Sequence, residues 1–547
     1  MPMETPHGEI PERFVKDMRP QEMHDFLAQR YGRRSVLKGA AILGVAAVAS
    51  PVLWRQSAAL AATMPIGPRW ISFGADPAAQ MYLSWSAGTA TGKSTAPPRP
   101  QVRLGLDATY GSVQGASAAQ VPVPATVSGE PAENTFYNNV LLSGLAPGTT
   151  YHYGVSNDGV TWSADAAFTT AAAGLSNFRF TAFGDEAASA TSAAPMVKLV
   201  TSLSPAFHLI AGDLAYATTV GVKIPDVTGF HPAQWDNYLG VIGPNGAQSI
   251  PWQASAGAHE VEPLTDDGYA GFITRFPQPY DLTSGSPVVH AFTYGNVAFI
   301  HLDGNDLSAQ ETINTGYTGG AQTAWLGNAL ASYRSPGSGI DFIVVVCNCC
   351  CYSSNTNHGS DGGLRDAWGP LFDEYQVDLV ISGHVHAYER TNPMRGGQPT
   401  RQAATGGTVN PATDGTTYIC AGGGGNDLYR TWYGTTGGGD AGSSTAPKVW
   451  RWSGGDTPEG GSGKPVDYTD TAEGYSAFRH AVFSCLAVDV SAPSAPGGQT
   501  SMLVRAMMPS QTSSAVTSIA SPATMDSVTL VRASQALTAA GPRVLSS

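Results

Sequence analysis

The sequence has little charge and is poorest in basic residues. Of its 547 residues, 29 are Lys or Arg and 42 are Asp or Glu, so the formal net charge is −13. The body of the chain contains no cluster of Lys or Arg, which excludes the basic patch that a nucleic-acid-binding protein needs. A chain of this charge attracts anionic substrates only where metal ions supply positive charge.

Long apolar runs are also lacking. The uncharged stretch Gly39–Trp54 is shorter than the roughly 20 residues that cross a bilayer. It follows a twin-arginine pattern at Arg33–Lys38 and precedes a small-residue cleavage pattern at Ala59–Ala61. This order predicts a twin-arginine signal peptide over residues 1–61, transient contact with the twin-arginine export machinery, a periplasmic or extracellular location and no stable membrane anchor. The alternative is an amphipathic or buried N-terminal helix.

Cysteine is scarce and unevenly placed. Four of the six cysteines crowd into residues 347–351, and the others are Cys420 and Cys485. This excludes a distributed disulfide framework, although a Cys420–Cys485 bridge remains possible. The crowded cysteines either bind a soft metal or, as we expect, serve as small apolar residues at the end of a buried strand.

Glycine and proline, in contrast, are plentiful (64 and 38 residues) and favour turns and β-structure. Between residues 62 and 172, short alternating segments such as Gln80–Ser86 are separated by turns. This pattern predicts an antiparallel β-sandwich domain over residues 62–172.

From Phe178 onward, apolar runs end in polar, glycine-containing turns, with helical segments such as Ser192–Leu203 and Gln322–Tyr333 between some of them. Runs this apolar are typical of strands that are buried on both faces. We therefore expect an α/β domain over residues 173–490, closed by C-terminal strands over 491–547. Residues 394–475 read as a long loop region or lid, interrupted by a strand at Thr417–Cys420.

Five of these turns carry side chains of the types that bind metals in proteins. A single such residue is more often a helix cap or an ordinary polar group, but ligands from several strand ends meet at one edge of a sheet. Carboxylates buried there cost several kcal/mol each unless a cation offsets the cost. The candidates are Asp185, Asp213, Tyr216, His259, Glu260, Asn348, His384 and His386.

The motifs around these residues resemble those of calcineurin-like metallophosphoesterases, and most closely those of purple acid phosphatases. They are Gly-Asp at 184–185, GDLAYA at 212–217, GAHE at 257–260 and GHVHAYER at 383–390. The resemblance covers essentially all of the chain after residue 61. It implies a fibronectin-type-III-like domain followed by an α/β metallophosphoesterase sandwich of two β-sheets flanked by helices.

The resemblance also implies a dinuclear metal centre. Asp185, Tyr216 and His386 would bind the first metal, usually Fe(III), and Asp213 would bridge to the second. His384 would bind the second metal, typically Fe, Zn or Mn. The tyrosinate would make an iron-loaded protein coloured.

His259 would stand near the leaving-group oxygen as a general acid that also contacts the substrate, or else only orient its neighbours. Downstream, His358 and Arg365 are either phosphate contacts or ordinary surface groups. Of the two, His358 is the substrate-binding candidate.

Two positions depart from the family pattern. Ala258 stands where the family has Asn, and Asn348 stands where it has His, so Asn348 remains only as a carbonyl-oxygen ligand. Both changes weaken the second site, and losing an imidazole should disfavour Zn more than Mn, Mg or Ca. Glu260 or a nearby cysteine is a further candidate to replace the lost ligands.

The sequence therefore predicts an exported, metal-dependent phosphatase that acts on a small phosphate monoester. Two alternatives remain: a phosphodiesterase or nucleotidase of the same superfamily, and a metal-impaired homologue that binds ligands or partners without turnover.

Overall fold

The computed structural model describes most of the chain from residue 65 onward. The described residues are 3–5, 8–10, 65–88, 96–123, 133–187, 190–219, 229–265, 267–432, 449–452, 467–470, 475–495 and 497–535. The predicted signal peptide lies outside them, except for a short antiparallel pair, Met3–Thr5 with Gly8–Ile10. Within these ranges, no helix has both the length and the apolar character needed to cross a bilayer.

Two four-stranded antiparallel sheets form the N-terminal domain and confirm the predicted β-architecture. The alternation in Gln80–Ser86 buries Met81, Leu83 and Trp85, which share one core with Tyr153 of the opposite sheet. In spatial order, the strands are Arg69–Phe73, Gln80–Ser86, Glu133–Ser143 and Ser117–Val123 in one sheet, and Ala166–Thr169, Thr150–Ser156, Gln101–Gly105 and Ser112–Gly115 in the other.

Two seven-stranded sheets form the second domain. The first sheet has the order Trp252–Ser255, Phe207–Ala211, Phe178–Phe183, Cys485–Ser491, Gln499–Gln511, Val516–Ala533 and Gly407–Val409. The second has the order His290–Tyr294, Val297–His301, Phe342–Cys347, Leu379–Ser382, Thr417–Ala421, Tyr388–Thr391 and Ser476–His480. Phe180 and Phe207 of the first sheet pack edge-to-face against Phe299 of the second, so the two sheets face each other across an aromatic core.

Helices cover the outer faces of both sheets. Ala193–Ser202 and Ala233–Ile242 pack on the first sheet, and Ala321–Arg334 and Gly362–Glu374 pack on the second. The strands that carry the candidate motifs are therefore buried on both faces, which explains their unbroken apolar runs. The shorter helical segments are Gly243–Ala247, Ala258–Glu260, Ala270–Arg275, Leu282–Ser284, Gly304–Asp306 and Pro411–Asp414.

The prediction of a long loop after residue 394 is wrong for its first part. Gly407–Val409 pairs in parallel with residues 528–530, and Met394–Arg395 pairs with Gln398–Pro399. These short strands satisfy backbone groups that a buried loop would leave unpaired. Two further strands, Val449–Trp452 and Asp467–Asp470, form a small sheet with residues 360–361. Residues 433–448, 453–466 and 471–474, where a lid would lie, are outside the described residues.

Candidate metal centre

Five of the predicted turns follow parallel strands that end at the same edge of the two sheets. Asp185, Asp213 and His259 follow the three parallel strands of the first sheet. Asn348 and His384 follow neighbouring parallel strands of the second sheet. The two facing sheets thus bring candidate ligands from both halves of the domain into one region.

Asp185, Tyr216 and His386 form the tightest group. The Tyr216 hydroxyl donates to Asp185 Oδ1 at 3.1 Å and lies 2.9 Å from His386 Nε2. His386 Nε2 is 3.5 Å from Asp185 Oδ1. His386 Nδ1 lies 2.7 Å from the Asp427 carbonyl, which only accepts hydrogen bonds. The proton therefore sits on Nδ1, and the Nε2 lone pair points toward Tyr216 and Asp185.

Asp213 lies beside this group. Its Oδ1 accepts a hydrogen bond from the His259 backbone N–H at 3.0 Å. Burial raises the pKa of Asp185 well above its usual range, and the neighbouring Asp213 carboxylate raises it further. Asp185 Oδ2 is buried and has no hydrogen-bond partner in the described structure. Two buried carboxylates with an unsatisfied oxygen are the arrangement that a bound cation would stabilise, so these residues fit the implied metal.

The backbone at four of the candidate ligands is strained. Asp185, Asp213, Tyr216 and His384 all have left-handed backbone conformations, with φ between +52° and +66°. Such conformations are uncommon for residues other than glycine and cost on the order of 1–3 kcal/mol each. They persist because sheets and loops on every side hold the turns in place, as is typical of functional sites.

Glycines allow the loops to approach Asp185. A Cβ on Gly383 would lie 2.6 Å from Asp185 Oδ2, and one on Gly422 would lie 2.7 Å from the same atom. A Cβ on Gly257 would lie 2.3 Å from Asp213 Oδ1. A side chain at any of these positions would clash with a carboxylate oxygen, so glycine allows the backbone to pack closely against the two aspartates.

Glu260 holds the loops together and is not a replacement ligand. Its carboxylate accepts hydrogen bonds from the backbone N–H groups of Asp213, Leu214 and Gly257, each at 2.8 Å. Both oxygens are thereby turned toward the backbone of the Asp213 turn. The suggestion that Glu260 substitutes for a missing ligand is therefore wrong.

His259 is oriented by its ring nitrogen. Its Nδ1 makes a short contact with the Thr218 carbonyl, and its ring lies 4.1 Å from the Tyr216 ring, centroid to centroid. A carbonyl only accepts, so Nδ1 carries a proton and Nε2 is the nitrogen left for a substrate. This geometry suits the predicted general acid.

Asn348 and Ala258 are the two positions that depart from the family pattern. The Asn348 amide donates from Nδ2 to the Ala211 carbonyl at 3.0 Å, and its Oδ1 is buried without a partner. Ala258 is buried and offers no ligand atom. Asn348 is closely packed, since a Cβ on Gly212 would lie 2.7 Å from the Asn348 Cβ.

His384 belongs to a second group that includes His358. The two rings lie 4.0 Å apart, centroid to centroid. The Gln310 amide connects them: its Oε1 is 3.0 Å from His384 Nε2, and its Nε2 is 2.5 Å from His358 Nδ1. Glu311 Oε1 lies 3.9 Å from His384 Nε2. Burial, with Asp213 and Asp361 nearby, raises the pKa of Glu311 to about 8.

Sequence reasoning missed Gln310, Glu311 and Tyr429. The Tyr429 ring stacks on His386 at 4.1 Å and lies 5.1 Å from the His358 ring, so it joins the two groups. Gln310 and Glu311 follow no apolar run and belong to no recognisable motif. Their sequence offered no signal, because only the fold brings their loop against His384.

Arg365 is not a surface group, so that interpretation is wrong, while the phosphate contact stays a prediction. It is buried, and its guanidinium lies 3.9 Å from the centroid of the Tyr352 ring while donating to the Cys351 carbonyl at 3.2 Å. Its apolar surroundings favour a cation held over an aromatic face.

The cysteines are buried thiols. Cys347, Cys349 and Cys351 pack in the core beneath the second sheet. The Cys350 and Cys420 Sγ atoms are 3.0 Å apart, while Cys485 lies in the other sheet. The possible Cys420–Cys485 bridge is therefore wrong. Among the described residues, no group of metal-binding side chains includes a cysteine.

The last residues of the GHVHAYER motif, Tyr388 to Arg390, hold in place the strand that follows the candidate ligands. Arg390 forms a buried pair with Asp526 through Nε at 2.6 Å and Nη2 at 2.9 Å, and the Tyr388 hydroxyl donates to the same carboxylate at 2.8 Å. Glu389 accepts a hydrogen bond from the Ser354 N–H at 2.8 Å. These contacts fix the strand after His386 to the C-terminal hairpin.

The chain is similar in sequence to known proteins. A family model of the purple acid phosphatase N-terminal domain matches residues 70–170. The chain is 32% identical over 412 residues to an uncharacterised protein of Mycobacterium tuberculosis, covering 69% of this chain and 72% of that protein. It is 26% identical over 388 residues to purple acid phosphatase 23 of Arabidopsis thaliana, covering 66% and 79%.

A solved structure agrees in fold. The purple acid phosphatase PPD1 from yellow lupin seeds aligns with a TM-score of 0.58 at 17% identity, covering 89% of this chain and 79% of that chain. Together, these comparisons confirm the resemblance that the motifs indicate and the predicted fold class. The chain belongs to the purple acid phosphatase-like metallophosphoesterases.

Proposed function

We propose that this chain is an exported phosphatase that hydrolyses phosphate monoesters at two metal ions, the first of them Fe(III). The observation that carries the proposal is the convergence of Asp185, Tyr216 and His386, with Asp213 beside them. Three oxygen ligands and one imidazole are a donor set that suits a hard trivalent ion with some nitrogen ligation. The twin-arginine pattern supports export.

A dinuclear centre supplies an activated water and neutralises charge on the phosphate oxygens. The protein's own groups complete the site. Asp213 stands beside Asp185, where it would bridge the two ions. His259 is held at Nδ1 by the Thr218 carbonyl, so its Nε2 presents a proton to the departing alkoxide when the ring is cationic.

The experiment is hydrolysis of a panel of phosphate esters by purified, iron-loaded protein. We expect turnover of monoesters such as p-nitrophenyl phosphate, and a loss of at least about 100-fold in Asp185→Asn, which keeps the side-chain shape but removes the charge. Asp107→Asn, the same replacement at an exposed position, is the matched control and should retain wild-type activity.

Two outcomes would contradict the proposal. Faster hydrolysis of bis-p-nitrophenyl phosphate than of any monoester would indicate a phosphodiesterase. Metal binding without hydrolysis of any ester would indicate a homologue that binds ligands without turnover.

A further inference from the structure

A carboxylate and two imidazoles meet outside the ligand set that the family pattern assigns. One ligand atom from each of Glu311, His358 and His384 lies within 4.8 Å of the others. Glu311 and His384 are buried, and His358 is partly buried. Ligand atoms at these separations are close enough to share one coordinated ion.

The ring nitrogens converge because one side chain connects them. The Gln310 amide contacts His384 Nε2 with its Oε1 and His358 Nδ1 with its Nε2. An amide can exchange its oxygen and nitrogen positions by rotation, so either assignment leaves both imidazoles facing the same point. A cation at that point would take the place of the amide bridge.

The family's own second site is depleted at the same time. Asn348 donates from Nδ2 to the Ala211 carbonyl and keeps only its buried amide oxygen as a ligand atom, and Ala258 has no ligand atom. The family pattern assigns some positions to the second metal only. Among these positions, His384 is the one that still carries an imidazole. His384 is also the residue that the Glu311 and His358 group shares.

We propose that the second metal ion is held by His384, His358 and Glu311, so that the site is rebuilt from a different loop rather than lost. This inference rests on the proposed function. His358 then acts as a metal ligand and not as a phosphate contact. Gln310 either moves aside or turns its carbonyl oxygen to the ion.

The donor set changes the expected metal. Two imidazoles and a carboxylate are the ligands of catalytic zinc sites and of non-haem Fe(II) sites, both of which leave positions open for water or substrate. The sequence-based expectation that Mn, Mg or Ca is favoured over Zn follows only if an imidazole is lost. With His358 in place, the second site should prefer Zn or Fe(II) to Mg or Ca.

The test is the number of metal ions per purified full-length chain, measured by elemental analysis after loading with iron and zinc. Wild-type protein should hold two ions. Glu311→Gln and His358→Ala should each hold one, while the visible absorption band of the iron-tyrosinate site shows that the first site is intact. Asn348→Ala should still hold two, and His231→Ala is the matched control for removing an imidazole.

The opposite pattern would overturn the inference. If Asn348→Ala holds one ion while Glu311→Gln and His358→Ala hold two, the second ion occupies the family position. A single ion in wild-type protein would overturn it as well. Anomalous diffraction from zinc in wild-type crystals gives a second readout that needs no variant: the peak should lie about 2.0–2.1 Å from a nitrogen of His358.

Failure of this inference is distinguishable from failure of the proposed function. Two ions in wild-type protein, one in Glu311→Gln and no ester hydrolysis would retain the site and reject the function. Monoester hydrolysis by wild-type protein, with two ions still bound in Glu311→Gln, would retain the function and reject the site.

Discussion

The Tyr216 hydroxyl lies 2.9 Å from His386 Nε2, although 170 residues separate them in the chain. Tyr216 follows a strand of the first sheet and His386 follows a strand of the second, so this contact spans the two halves of the domain. Together with Asp185, it brings into contact the three side chains that we propose for the first metal.

Replacing Tyr216 by Phe tests this site spectroscopically. The ring packs against His259, so Phe keeps the packing but removes the hydroxyl that would ligate iron. We expect the visible band of iron-loaded protein to disappear. The measurement is the absorption spectrum at equal iron content.

Tyr429→Phe is the matched control, because its ring stacks on His386 and its hydroxyl is not an assigned ligand. The visible absorption band of iron-loaded Tyr429→Phe should persist. A band of wild-type intensity in Tyr216→Phe would show that another residue ligates the iron.

The role of His259 is tested by the leaving group. His259→Ala should slow the hydrolysis of alkyl phosphates by about 10²–10⁴-fold, because an alkoxide must be protonated as it departs. Hydrolysis of p-nitrophenyl phosphate should slow much less, since nitrophenolate leaves without a proton. The measurement is kcat/KM for both esters, and an equal loss for both would indicate that His259 only orients its neighbours.

Glu260 lies beside the proposed general acid His259, but we expect its main effect to be on the stability of the fold. Glu260→Gln replaces one acceptor oxygen by an N–H group that faces backbone donors, which should lower the free energy of unfolding by about 2–4 kcal/mol. The measurement is denaturant unfolding of metal-free protein. Glu374→Gln, on an exposed helix face, is the control and should change it by less than about 0.5 kcal/mol. A similar small change in Glu260→Gln would show that the loop does not depend on this carboxylate.

These residues also show what the sequence can and cannot reveal. The strand-end motifs contain Asp185, Asp213, Tyr216, His384 and His386, and buried parallel strands bring such positions together whatever the details of packing. Glu311 and Gln310 come from an irregular loop, where no periodicity or motif distinguishes a ligand from a surface residue. The role of Glu260 was likewise hidden, because its sequence position is compatible with either a ligand or a backbone brace.

The fold, like the site, could be predicted only in part. Alternation and apolar runs predicted the sandwich and the α/β domain, since burial on one or both faces determines those patterns. The short strands after residue 394 were missed because Gly407–Val409 is stabilised by pairing with a strand more than a hundred residues later. Pairing of that kind leaves no local signal.

Stability should fall as the pH decreases, partly because of His208. Burial lowers the pKa of His208 to about 3, whereas the unfolded chain takes up that proton near pH 6.5. Unfolding therefore binds a proton between about pH 6.5 and 3, and stability lost through this group reaches about 1.4 kcal/mol per pH unit.

The corresponding measurement is the free energy of unfolding of metal-free protein at pH 7 and pH 5. His208→Gln should show a shallower decrease than wild type, while His231→Gln, at an exposed position, should match wild type. A wild-type slope in His208→Gln would show that His208 is already protonated in the folded protein.

The central claim is that residues from distant strands share a metal ion at one edge of the facing sheets. Anomalous diffraction at the iron edge from crystals of iron-loaded protein tests it most directly. We predict a peak within coordination distance of His386 Nε2, Asp185 and Tyr216. A fully iron-loaded crystal with its peak elsewhere, or with no peak among these three side chains, would contradict the account.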